Sequence, residues 1–86
     1  MREQNFKHEM GRAETMKLLT DDPLKVEYWI GYIRGLRRAY HGEAFGTDAE
    51  HHQYQKAIDS TDELRKHRGL GYRDAIMQGQ AHEVAL

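Results

Sequence analysis

Residues 22–42, DPLKVEYWIGYIRGLRRAYHG, limit what this chain can fold into more than any other stretch. The segment carries its own start and stop. Asp22 is a good N-cap, Pro23 suits the first helical position, and Asp21 and Asp22 favour the positive end of a helix dipole. At the far end, His41-Gly42 supplies a polar last turn and a glycine suited to a left-handed C-terminus. Between these signals, Tyr28, Ala39, Tyr32, Leu36, Trp29, Tyr40, Ile33, Val26 and Ile30 spread over about 200° of a helical wheel. A surface helix needs about half of that, so this helix is expected at the centre of the fold, covered from more than one side.

Other helices follow from the same logic. Phe6, Met10, Ala13, Met16 and Leu19 share about half a wheel and predict a first helix over about 5–19. Thr47-Asp48-Ala49-Glu50 matches a capping box and opens a third helix, expected over about 48–67, with a thin stripe of Tyr54, Ala57, Ile58, Thr61 and Leu64. Ser60-Thr61-Asp62-Glu63 is a second capping box, at which that helix could break. Gly69-Leu70-Gly71 is expected to close it, leaving Tyr72 and Ile76, with Met77, to dock a short C-terminal helical element. The fold expected is therefore all-α, a small compact domain of three main helices plus that short element. One domain over 1–78 is followed by a flexible tail over 79–86.

Composition narrows the function. Eighty-six residues make one small domain near the lower limit for a self-sufficient core, so burial against a second copy or a partner is expected to help. The absence of Cys excludes disulfides, thiolate metal sites and a Cys nucleophile. No run approaches the roughly 18 apolar residues of a membrane span, and the start has no apolar signal region, so the expected location is cytoplasmic. No His-x3-His pair exists, and adjacent His51 and His52 would point about 100° apart on a helix, so no metal is expected. Ser60 is the only serine and sits in a capping context. Gly69-Leu70-Gly71 lacks the third glycine of a dinucleotide loop. No enzyme activity, cofactor or small-molecule substrate is expected.

The net charge of −1 conceals segregation along the chain. Arg34, Arg37 and Arg38 have no acid among them, and neither do Arg65, Lys66, Arg68 and Arg73. Arg34, Arg38 and His41 fall within about 60° of one another on the polar side of the second helix, with Arg37 at its border. Such a strip can bind phosphates or an acidic protein, or be a solvated face paired with acids such as Glu27. In the second cluster, cations at a helix end are already favourable against the dipole, yet Tyr72 between Arg68 and Arg73 could also stack on a base. If both clusters met on one surface, nucleic-acid binding would gain strongly.

Gly31, Gly35 and Ala39 recur every four residues on the second helix. Glycine inside a helix costs about 1 kcal/mol relative to alanine, so two call for a reason. Small residues at this spacing let another backbone approach closely. The crossing could be internal, with the first or third helix, or the two-fold contact of a homodimer.

The run from Glu27 to Gly42, EYWIGYIRGLRRAYHG, with Phe45-Gly46-Thr47 after it, resembles short bacterial proteins of the prophage or mobile-element kind. The resemblance covers about a quarter of the chain. It implies a small accessory or regulatory protein and transfers no site. The function expected is a non-enzymatic interaction or regulatory protein that binds a macromolecular partner as a homodimer. The alternative is a nucleic-acid-binding regulator using Arg34, Arg37, Arg38, His41, Arg65, Arg68 and Arg73 on phosphates.

Overall fold

The computed structural model describes residues 2–42 and 45–84. They form four helices and no strand: α1 (Glu3–Leu19), α2 (Pro23–His41), α3 (Asp48–Ala57) and α4 (Glu63–Val84). The Cα radius of gyration is 12.4 Å. None of these helices is long and apolar enough to cross a membrane.

The α1–α2 junction forms as its residues predict. Thr20 Oγ1 accepts from the Asp22 amide at 3.3 Å, Asp22 Oδ1 accepts from the Leu24 amide at 2.9 Å, and Pro23 opens α2. Helix α1 runs antiparallel to α2, with Phe6 stacked on Tyr40 at 4.3 Å and Arg12 over the Trp29 ring at 5.5 Å. The stripe expected on α1 is only partly used. Ala13 is buried and Phe6 and Met10 pack on the core, whereas Met16 is exposed and Leu19 is 74 % exposed. In their place α1 buries Glu9, which accepts from Arg12 Nη2 at 2.8 Å and from the Tyr32 hydroxyl at 3.2 Å.

Helix α2 is central. Gly31, Tyr32, Ile33, Gly35 and Leu36 are buried, and Leu36 is wholly enclosed, which stabilises by about 2–3 kcal/mol. Of the apolar arc, Tyr32, Ile33 and Leu36 are buried, while Trp29 and Tyr40 are half-buried against Arg12 and Phe6 of α1.

The third expected helix, over about 48–67, is two helices. Helix α3 begins as predicted, with Thr47 Oγ1 accepting from the Glu50 amide at 3.1 Å, but it ends at Ala57. The Asp59 and Ser60 amides turn back onto Lys56 and Ala57, Ser60 Oγ accepts from the Asp62 amide at 3.1 Å, and Asp62 Oδ1 caps the Leu64 amide at 3.0 Å. Short polar side chains here offer the backbone a better bond than a continued helix would. The helix therefore breaks near Ser60, with Asp62 rather than Ser60 as the cap of α4.

The C-terminal element is the longest helix rather than a short one. Gly69 and Gly71 lie inside α4, and the tail expected from residue 79 begins within it; Ala85 and Leu86 lie outside the described residues. The two glycines serve close approach instead of termination. A Cβ on Gly71 would collide with the Tyr28 carbonyl of α2, and one on Gly69 would stand 2.7 Å from the Tyr54 carbonyl oxygen of α3. Helix α4 runs parallel to α2, with Arg68 opposite Gly31 and Tyr72 opposite Gly35, and makes the largest interface in the molecule. Helix α3 returns antiparallel along α4, where Tyr54 stacks on Tyr72 at 4.3 Å and Ile58 reaches Gly69.

Candidate binding groove

The α2–α4 crossing decides where the small residues and the basic clusters go. A Cβ on Gly31 would meet the Arg68 carbonyl, and one on Gly35 would lie 2.5 Å from the Tyr72 carbonyl oxygen and 2.7 Å from Ala75 Cβ. The edge of α2 is thus filled from within the chain, by α4 rather than by α1 or α3. Ala39, one turn further on, is half-buried. On α4, Gly71, Ala75 and Gly79 repeat the same four-residue spacing and are all buried. This second small-residue row was present in the sequence, four residues apart, but was obscured by reading Gly71 as a helix stop.

Because α2 and α4 touch backbone to backbone near Gly31, their side chains diverge on either side of the contact. On one side α3 lies across them and leaves an open groove of about 710 Å³. Helix α3 lines it with Glu50, Gln53, Tyr54 and Ala57, one face at helical spacing. Ile30 and Arg34 enter from α2, and Arg65 and Arg68 from α4. Members of both basic clusters therefore share one surface.

Their charges are mostly answered. Arg34 directs Nε and Nη2 to Glu50 Oε1 at 2.9 and 2.6 Å. The Glu50 bond raises the guanidinium above its ordinary pKa, outweighing burial. Arg68 directs Nε and Nη2 to Glu27 Oε2 at 2.7 and 2.6 Å. Arg38 reaches Asp48 at 2.9 Å just beyond the groove. Arg73 pairs with its neighbour Asp74 at 3.2 Å and lines a separate hollow of about 220 Å³ between α3 and α4. Arg37 stands over the Phe45 ring at 5.8 Å. His41 is exposed at the α1 side, edge-on to Phe6 and Tyr40. Of the seven residues expected to bind, Arg34, Arg65 and Arg68 come together, Arg38 borders them, and Arg37, His41 and Arg73 do not join.

Tyr72 does not extend the groove. It is 4 % exposed, with its ring on Tyr54 and its hydroxyl 2.8 Å from His51 Nδ1, so it offers no face to a base. Burial, then Arg38 and His52, lower the His51 pKa, so the imidazole is neutral near pH 7. Burial raises the Tyr54 hydroxyl, against the neighbouring Arg34 charge.

No family model, curated protein or solved structure matches the chain. The groove's lining offers guanidinium donors, an amide, a phenol and a small apolar floor, and it contains no His or Ser. Its one carboxylate, Glu50, is engaged by Arg34. Among the described residues, no group of three or more His, Asp or Glu is placed to hold a metal ion. No nucleophile in this lining is paired with a base. Sequence reasoning missed Ile30, Gln53 and Tyr54 as groove residues, and it took Glu50 for a capping carboxylate when its side chain points to Arg34. Glu27 was expected as a counter-ion, but on its own helix rather than for Arg68.

Proposed function

We propose that this is a small non-enzymatic binding protein that docks a segment of another protein in the groove between α2, α3 and α4. The supporting observation is that groove itself, where Arg34, Arg65 and Arg68 surround an apolar floor of Ile30 and Ala57. Aromatic and arginine side chains around a small apolar centre are the composition of protein interfaces. The homodimer expectation drew on the small size of the core and on the Gly31/Gly35 edge, and of these the edge is occupied by α4. A phosphate backbone is the weaker fit, since Arg34, Arg38, Arg68 and Arg73 each carry an acidic partner within the chain.

A photo-crosslinking amino acid placed at Gln53, on the groove, and separately at Glu14, on the exposed side of α1, tests this in the native cells. The expected result is a discrete protein adduct from position 53 alone. Equal adducts from both positions, or a nuclease-sensitive adduct from position 53, would overturn the proposal.

A further inference from the structure

The groove has one charge left over. Arg34 and Arg68 each present Nε and Nη2 to a single carboxylate oxygen, of Glu50 and Glu27 respectively. Arg65, one turn before Arg68 on α4, lines the same groove and is exposed, and its guanidinium has no ion pair or hydrogen bond among the described residues. A lone guanidinium flanked by two neutralised ones suits one further carboxylate. It does not suit a chain of phosphates, which draws its affinity from several uncompensated cations at once and would be repelled by Glu50 and Glu27. The apolar part of the same groove is supplied by Ile30 and Tyr54, both half-buried, together with Ala57.

From this we infer that the docked segment carries an aspartate or glutamate beside an aliphatic residue. The carboxylate binds Arg65 and the aliphatic side chain covers Ile30 and Tyr54. The inference rests on the groove being the docking site and adds the chemistry of what it takes. Glu50 and Glu27 then act as positioning residues: each fixes a guanidinium side-on and holds open the wall between α2, α3 and α4. They also discriminate against polyanions by like-charge repulsion.

The test is an NMR titration of the ¹⁵N-labelled full chain with three probes: a blocked hexapeptide alternating glutamate and leucine, its lysine counterpart, and hexathymidylate. Saturable shifts are expected at the amides of Gln53, Tyr54 and Arg65 with the acidic peptide alone. Binding should weaken at least about tenfold in Arg65→Glu and less in Arg65→Lys, as expected for the loss of one charge-assisted hydrogen bond. Arg65 is exposed, so Arg65→Glu should keep the wild-type spectrum elsewhere. Equal shifts with the lysine peptide, stronger binding of the oligonucleotide, or no saturable shift at millimolar peptide would each overturn the inference. Repeating the Gln53 crosslink in Arg65→Glu separates the two levels. An adduct that persists keeps the groove as docking site and removes the carboxylate at Arg65. No adduct even from the wild-type chain removes the groove itself.

Discussion

Gly31 and Gly11 are both interior glycines of helices, and their surroundings give them opposite roles. A Cβ on Gly31 would run into the Arg68 backbone, which cannot rotate away, whereas a Cβ on Gly11 has nothing within 4 Å. Gly31→Ala gains about 1 kcal/mol in helix propensity but forces α2 and α4 apart, an overpacking cost of about 1–3 kcal/mol or more. Urea denaturation should therefore show Gly31→Ala destabilised, by up to about 2 kcal/mol, and Gly11→Ala stabilised by about 1 kcal/mol. Equal effects at the two sites would mean that the crossing is looser than described. Glu9 gives a second test, in pH. Burial pushes its carboxyl up, but the Arg12 hydrogen bond and charge, with the Tyr32 hydroxyl, outweigh burial and hold it below the ordinary value of 4.5. A carboxyl lowered on folding contributes stability above its unfolded value and loses it as the pH falls through the folded one. Stability should thus drop below about pH 4.5, and the drop should be shallower in Glu9→Gln.

Helix α3 is the element whose limits were hardest to read and on which the groove most depends. It has ten residues, too few to persist alone, and buries only Ala57 outright. What holds it is the Thr47 cap, the Arg34–Glu50 and Arg38–Asp48 pairs, and the Tyr54–Tyr72 stack. Surface ion pairs contribute about 0–1 kcal/mol each, and an N-cap about 1 kcal/mol. Thr47→Ala should cost about 1 kcal/mol globally. Its larger signature should be faster hydrogen exchange confined to α3, since α2 and α4 keep their interface without it. Uniform exchange across all four helices would show that α3 does not open separately. The start of α3 was legible because a cap acts over three residues. Its end was not: the thin stripe of Tyr54, Ala57, Ile58, Thr61 and Leu64 continues through the break, and Leu64 proves to be exposed.

For the molecule as a whole, the arrangement of charge matters more than its sum of −1. Members of two basic clusters distant in sequence meet at the groove, but Glu27 of α2 and Glu50 of α3 come with them, so that of its three arginines Arg34 and Arg68 are paired and Arg65 alone is not. Anisotropy with labelled double-stranded DNA or single-stranded RNA should show no binding at about 50 mM salt, where phosphate contacts are strongest. Binding that weakens steeply toward about 200 mM would restore the nucleic-acid reading. Gly31→Leu and Gly35→Leu should lose cooperative unfolding rather than change the mass by light scattering, because the neighbours they would strike belong to the same chain.

Residues 22–42 needed no tertiary context. The Asp22 cap, Pro23, the broad apolar arc and Gly42 each act on neighbours within a few positions, so α2 could be delimited residue for residue and placed at the centre. The same local logic misled at Gly69-Leu70-Gly71. Within the chain's own neighbourhood a pair of glycines is the weakest part of a helix, and the reading as a stop follows. At a helix crossing the missing side chains are what allow the Tyr28 and Tyr54 backbones to lie against α4, and that close packing outweighs the propensity. Which acid answers which arginine belongs to the same category. Glu27 faces Arg68 because α2 and α4, far apart in sequence, cross at their glycines, and Glu50 faces Arg34 because α3 lies across that crossing; the strength of a charge pair depends on distance in space rather than along the chain.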